Sequence, residues 1–346
     1  MKSLKLNELK SRFKSKFSEL SIENPSDSKH REILNKAYES KKWIDNLDEN
    51  NIRYWSGQTD QGAPLNLQSE IALNGPLIGP PKYLIKFFTQ RNNSRELLNS
   101  LIDDIKILEL IDGREVLQQN RIESTYGKTM TFKIEGVRVN TRWLRYIYLA
   151  SRIKNQNLIS NGKVWVDIGS FYGGLQQILY RYFPEARIIM VDFQHQLLRS
   201  YLYLNYSYPN AQHILNPDLS EKFELPGFYY LHPDKIFEYR NLKVDLLSNF
   251  FSIGELSRIT ALNYINSKLW REAKAIYSVN RFISSPFYDK TYDTDLTIID
   301  YLADNSRKIR YLDVFPIGVF LRINRNVFGI KRFRNISSNY FELILT

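Results

Sequence analysis

One stretch constrains this chain more than any other: V-W-V-D-I-G-S-F-Y-G-G at residues 164–174, followed by I-I-M-V-D-F at 188–193. Residues 164–168 form an apolar run broken by one carboxylate, Asp167, the pattern of a strand buried on both faces. Glycines follow at Gly169, Gly173 and Gly174, and then Leu175, Ile178, Leu179, Tyr182 and Phe183 recur at helical spacing. A second apolar strand, Ile188 to Val191, ends on Asp192. The spacing predicts strand, glycine turn, helix and parallel strand.

This arrangement suits a nucleotide or nucleoside. Glycine admits positive φ and close backbone approach, and a helix start offers unsatisfied N–H groups. A carboxylate closing the second strand can accept hydrogen bonds from two ribose hydroxyls, and Asp192 lies at roughly the twenty-residue distance a βαβ unit requires. The turn is not G-x-G-x-x-G, because Phe171 stands where a second glycine would be. An acidic residue just before the first glycine suits a positively charged amino-acid end.

At 346 residues the chain can build a sizeable core, and its 43% hydrophobic and 25% charged content is that of a globular protein. It has no cysteine, which removes disulfides, thiolate metal sites and thiol catalysis. The first residues lack the apolar run of a secretory signal, and no stretch has the length of a membrane span, so a cytoplasmic address is expected. A net charge of +11 points to polyanionic or phosphorylated partners.

Along the chain, Leu4, Leu6, Leu9, Phe13, Phe17 and Leu20 alternate with lysines and arginine in a basic amphipathic helix. Such a helix packs on its own protein or a partner subunit, or makes peripheral contact with an anionic membrane. Further helices are expected over 27–49 and 94–111, with a turn-rich segment over 57–81. A hairpin should turn at Glu135-Gly136, and Thr141 should cap a helix carrying Trp143, Leu144, Ile147 and Tyr148. Tyr126 and Lys128, in the loop before that hairpin, are candidate substrate contacts. Strands are expected at 211–215, 228–231, 244–248, 275–279, 311–315 and 341–345, with one helix through Ile259, Leu262, Ile265 and Leu269. Strands alternating with helices imply a largely parallel α/β sheet whose last two strands are antiparallel. Polar residues close several strands: Asp167 to Gly173, Asp192, His232 to Asp234, Asn249 to Glu255, and Asn280-Arg281. Ligands bind at that carboxyl edge in open α/β sheets.

The D-I-G-S-F-Y-G-G turn with Asp192 resembles motif I and the second-strand acidic residue of class I S-adenosylmethionine-dependent methyltransferases. The order of elements over about 141–346 is similar to their Rossmann-like fold. Three stretches (V-D-I-G-S-F-Y-G-G, I-I-M-V-D-F and V-D-L-L-S-N-F-F-S-I-G-E-L), with the helix from Thr141 to Ile153, resemble a bacterial sugar O-methyltransferase group. The resemblance implies a mainly helical N-terminal region over 1–140 and a catalytic domain over 141–346. It implies S-adenosylmethionine as donor, with Asp167, Gly169 and Gly173 at its methionine end. Asp192 would take the ribose, Phe193 the adenine face and Asp234 the adenine edge, with Asn249 and Phe250 toward the sulfonium methyl. Phe171 belongs to the same turn, although a phenylalanine there departs from the commonest motif. Asn280 and Arg281 would face the acceptor, a sugar, sugar nucleotide or glycan.

A sugar hydroxyl is a poor acid, so transfer needs a base or a metal. His195, His232 and Glu255 are the candidate bases, and no residue spacing identifies a divalent-metal site. Arg322, Arg325, Lys331, Arg332 and Arg334 crowd the segment before the last strand, where a phosphate of a sugar nucleotide, lipid-linked glycan or RNA would bind. Two other readings remain beside the sugar O-methyltransferase: a nucleic-acid methyltransferase, drawn from the charge, and a non-catalytic binding fold. A homo-oligomer fits any of the three.

Overall fold

The structure is a computed structural model that describes residues 2–17, 98–120, 131–218, 223–239, 242–256, 258–281, 296–302, 307–317, 321–327, 330–335 and 340–346, with backbone course alone for 2–4, 255, 321–327 and 330–335. The helix expected over 27–49 and the turn-rich segment 57–81 lie outside the described residues. By its internal contacts the chain divides into two units. One comprises residues 1–52, 153–315 and 339–346; the other comprises 53–152 and 316–338.

The first unit is built on an eight-stranded sheet. Its strands are β3 (Val164–Ile168), β4 (Arg187–Val191), β5 (Gln212–Leu215), β6 (Gly227–Leu231), β7 (Leu246–Phe250), β8 (Ala275–Asn280), β9 (Ile309–Val314) and β12 (Phe341–Leu345). They stand in the order β5-β6-β4-β3-β7-β8-β12-β9. All neighbours are parallel except β12, which is antiparallel to both β8 and β9. This is a largely parallel, Rossmann-like sheet whose last strand in the chain is reversed. β3 is central and buried at every residue, which is why its sequence reads as one apolar run.

Period-two alternation sorts the sheet's two faces. Val164, Val166 and Ile168 share a core with Ile189, Val191, Tyr229, Leu231, Leu247, Ile276 and Leu343, and with Tyr264, Ile265 and Trp270 from the helices covering that face. Full burial of each such aliphatic side chain contributes about 1.5–3 kcal/mol. Helices α5 (Gly174–Tyr182), α6 (Gln194–Ser207) and α7 (Pro233–Ile236) follow β3, β4 and β6. α6 stops at Ser207, two residues before Pro209, with the Tyr208 N–H bonded to the Leu204 carbonyl.

Three expectations shift. The strand placed at 244–248 runs over Leu246–Phe250, because Asp245 is spent at its start, accepting the Val164 N–H and the Lys274 ammonium. The helix through Ile259 to Leu269 is two helices, α8 (Arg258–Ile265) and α9 (Lys268–Glu272). Ser267 caps the second by accepting the Trp270 N–H, and Ile259 is 74% exposed rather than inward. The helix α4 (Thr141–Asn155) is capped by Asn140, whose Oδ1 accepts the Trp143 N–H at 2.8 Å, and not by Thr141.

The basic helix α1 (Lys2–Phe17) belongs to the sheet unit. It packs on α6: Phe13 stacks on Phe17 at 4.4 Å and tilts against Tyr201 at 6.1 Å, and Lys5 lies over the Tyr206 ring. Leu6, Leu9, Phe13 and Phe17 are all buried, so the stripe that could enter a membrane is used within the chain. No helix among the described residues is long and apolar enough to cross a membrane.

In the second unit, the helix α2 seen over 98–110 buries Leu101, Ile105 and Leu108. α3 (Arg114–Gln119) follows it, and β1 (Phe132–Ile134) pairs with β2 (Val137–Val139) around the expected turn. The Trp143 indole N–H ties α4 to the Asn120 carbonyl at 2.7 Å. The interval between β9 and β12 holds a further antiparallel hairpin, β10 (Leu321–Val327) and β11 (Ile330–Asn335).

Phe13→Ala should lower the unfolding free energy by about 3 kcal/mol, read from urea or guanidinium midpoints. No change would show that α1 is not part of the folded unit.

Candidate functional site at the carboxyl edge of the sheet

β3 ends at Ile168, and the chain turns there under tight constraints. Gly169 has φ +79°, and a Cβ on it would fall 2.3 Å from Ser252 Oγ and 2.6 Å from Ser252 Cβ. Gly173 has φ +88°, and a Cβ would meet Leu204 of α6 at 2.9 Å, so glycine here lets α5 and α6 close on each other. Between them Phe171 takes φ +54°, a left-handed conformation that costs a non-glycine residue about 1–2 kcal/mol. Its N–H donates to Asp192 Oδ2 at 2.9 Å, while Asp192 Oδ1 accepts the Phe193 N–H at 2.8 Å. The Gly169 N–H bonds the Val191 carbonyl at 2.8 Å. The glycine turn is thereby clasped to the end of β4.

Asp167 sits differently. It points to the sheet face opposite Val166 and is 2% exposed. Ser248 Oγ donates to its Oδ1 and Gln176 Nε2 to its Oδ2, both at 2.5 Å, and the Trp165 indole N–H donates to Ser248 Oγ at 2.7 Å. Burial pushes its carboxyl up to about 7, against the two hydrogen bonds, with the nearby Asp192 charge adding to the rise. The carboxylate thus braces β3, β7 and α5 from within.

At the end of β7, Asn249 is fully buried. Its Nδ2 donates to the Ile168 carbonyl at 2.7 Å and to Ser252 Oγ at 2.6 Å. Its Oδ1 accepts the Ile253 N–H at 3.0 Å and Asn280 Nδ2 at 2.6 Å. Asn280 Oδ1 in turn accepts the Gly254 N–H at 3.1 Å. Two amides thus lock the ends of β3, β7 and β8 together and fix the loop after Phe250. Phe250 is buried, edge-on to Tyr277 at 5.0 Å. Phe251 takes φ +61° and packs edge-on against Phe315 and Tyr340. Arg281, 7% exposed, lies over the Tyr340 ring and donates Nη2–H to its hydroxyl at 2.7 Å.

The candidate bases separate. His232 is buried and caps α7, its Nδ1 accepting the Asp234 N–H at 3.3 Å, while the Asp234 side chain is 91% exposed. His195 is buried near the start of α6, its ring 6.2 Å from that of Phe193 and nearly parallel to it. Glu255 ends the 3-10 turn Ile253–Glu255, and its side chain lies outside the described residues, as do Tyr126 and Lys128. Among the described residues no group of three His, Asp or Glu side chains could hold a metal ion.

Sequence reasoning missed Ser248, Ser252 and Gln176. Ser248 was legible in principle, since it stands opposite Asp167 in the parallel register, but that register is a tertiary fact.

The raised Asp167 value has a definite sign. Protonation favours the fold, so its contribution is full below about 4 and is lost as pH rises toward 7. Asp167→Asn removes this titration. The variant should gain on the parent by about 1.4 kcal/mol per pH unit over that window, measured by urea unfolding at stepped pH. A pH-independent difference would refute the assignment.

No family model matches the chain, and no curated protein matches it. Among solved structures it is similar to a pyocyanin biosynthetic protein, at 13% identity over 57% of this chain and 57% of that one, with a TM-score of 0.34. It is similar to a SAM-dependent methyltransferase from Aquifex aeolicus, at 12% identity over 59% and 96% of the two chains, with a TM-score of 0.33. It is also similar to magnesium protoporphyrin IX methyltransferase from Synechocystis PCC 6803, solved with bound SAM, at 13% identity over 59% and 78%, with a TM-score of 0.36.

Proposed function

We propose that the chain is an S-adenosylmethionine-dependent O-methyltransferase whose acceptor is a sugar or glycan hydroxyl. The observation that carries the donor assignment is the Asp192 clasp. One carboxylate holds the glycine turn through the Phe171 N–H and stands at the end of β4, where ribose hydroxyls would be met. The cradle fits such a group, since the backbone at Gly169 and Gly173 is held in conformations only glycine adopts cheaply.

In this reading the donor supplies an electrophilic methyl on a sulfonium. Asp192 accepts the two ribose hydroxyls. Phe193, half-buried beside His195, offers an aromatic face to the adenine. Asp167 acts indirectly, as the buried negative group behind the turn that receives the cationic amino-acid end. Asn249 and Asn280 hold the loop carrying Phe250 and Phe251 at the point of transfer, so their role is to fix geometry. His195 and Glu255 remain the candidates for taking the acceptor proton, because His232 is committed to its helix cap.

The sugar assignment is supported by the V-D-L-L-S-N-F-F-S-I-G-E-L strand end and the need for a base near a poorly acidic hydroxyl. Calorimetry with S-adenosylhomocysteine should show binding to the parent chain and, for Asp192→Ala, a loss of about tenfold or more. A screen of sugar and glycan acceptors for a one-methyl mass increment then tests the acceptor. No binding to the parent chain would leave a non-catalytic fold.

A further inference from the structure

The three central strands of the sheet stand in the order β4, β3, β7. At their carboxyl ends, Asp192 follows β4, Gly169 follows β3, and Ser252 lies in the loop after β7. That loop turns sharply. Phe251 takes φ +61°, a costly conformation for phenylalanine, with its N–H bonded to the Val279 carbonyl at 2.8 Å. The turn lays Ser252 against the end of β3. Its Oγ stands 2.3 Å, and its Cβ 2.6 Å, from where a Cβ on Gly169 would be, so only glycine at 169 leaves room for Ser252.

The Ser252 hydroxyl is oriented but not used up. Its oxygen accepts the Asn249 Nδ2–H at 2.6 Å, and Asn249 is itself fixed by the Ile168 carbonyl, the Ile253 N–H and Asn280. Among the described residues, the acceptor for the hydroxyl's own hydrogen is the Ile168 carbonyl at 3.4 Å. That is beyond the range of about 2.5–3.0 Å for an O–H···O bond. The same carbonyl already takes Asn249 Nδ2 at 2.7 Å. Ser248, four residues earlier, contrasts with it: fully buried, it donates to Asp167 at 2.5 Å. Ser252 is half-buried, as are Gly169, Phe171 and Asp192. It is a hydroxyl donor at the crevice between the ends of β3 and β7, the place where open α/β sheets receive ligands.

We infer that the Ser252 hydroxyl donates a hydrogen bond to the carboxylate at the amino-acid end of the methyl donor. This rests on the donor reading proposed above. In that reading the adenine lies at Phe193 and the ribose at Asp192, both beyond the end of β4. The rest of the donor then points the other way, over Gly169 toward β7. That part carries a sulfonium, its methyl, an ammonium and a carboxylate. Of these only the carboxylate accepts hydrogen bonds, so it is the group a serine hydrogen can meet. The ammonium needs an acceptor instead, and Asp167 is the acid behind the same turn. An enclosed acid and a half-buried hydroxyl donor suit a zwitterion, and a hydrogen bond to a charged group is the stronger kind.

Calorimetry on the full chain with three ligands tests this. They are S-adenosylhomocysteine, its decarboxylated analogue, which keeps the ammonium, and 5′-methylthioadenosine, which lacks the whole amino-acid chain. Ser252→Ala should weaken S-adenosylhomocysteine about tenfold or more and leave the other two within about twofold of the parent. A loss of similar size for all three would make Ser252 a support of the glycine turn and overturn the inference. Unchanged S-adenosylhomocysteine binding would overturn it as well. If Ser252→Ala does not stay folded, Ser252→Cys, which keeps the shape but donates weakly, must show the carboxylate-selective loss. A parent chain that binds none of the three ligands would sink the donor reading itself. A parent that binds S-adenosylhomocysteine, with no carboxylate-selective loss in the variants, would sink the Ser252 assignment alone.

Discussion

The carboxyl edge of this sheet depends on backbone N–H groups held by side-chain acceptors. Asp192 holds the glycine turn to β4 through the Phe171 N–H, and Asn249 holds the loop after β7 through the Ile253 N–H. Each bond ties a segment that secondary structure no longer supports. Without them, Phe171 and Phe251 would relax from left-handed backbone conformations that are costly for phenylalanine. Both residues lie in loops at the carboxyl edge, one after β3 and one after β7.

The edge has two chemically distinct parts. The Asp167–Ser248–Gln176–Trp165 set is enclosed and bonded within itself, and it sets the position of the turn. Asp192 and Phe193 are only half-buried, at the mouth of the same turn. Burial disfavours the charged form of the rear carboxylate, and in the proposed reading a cationic group of the donor would favour it while Asp192 would make the direct contacts. The same division separates the histidines. His232 is a helix cap and His213, pushed down to about 4 by burial, is held neutral between the Tyr230 hydroxyl and the Tyr208 carbonyl. His195 stands beside the ring of Phe193.

The basic surface is less uniform than a net charge of +11 suggests. Lys5 covers a tyrosine ring, Arg307 closes a helix, and Arg281 is buried over Tyr340.

The sequence by itself determined the strand–turn–helix unit, the parallel sheet with a reversed last strand, and the glycine turn with its two acidic residues. These are local in origin: apolar runs, turn glycines and period-two alternation follow from backbone sterics and burial within a few residues. Tertiary structure alone decided which acidic residue is enclosed and which lies at the mouth, because Asp167 meets Ser248 across a parallel register 81 residues apart in the chain. It decided that Asn249 and Asn280 bond to each other, that Asn140 and not Thr141 starts α4, and that Ile259 is exposed. In each case the outcome depends on partners brought together by folding, which no pattern along the chain records.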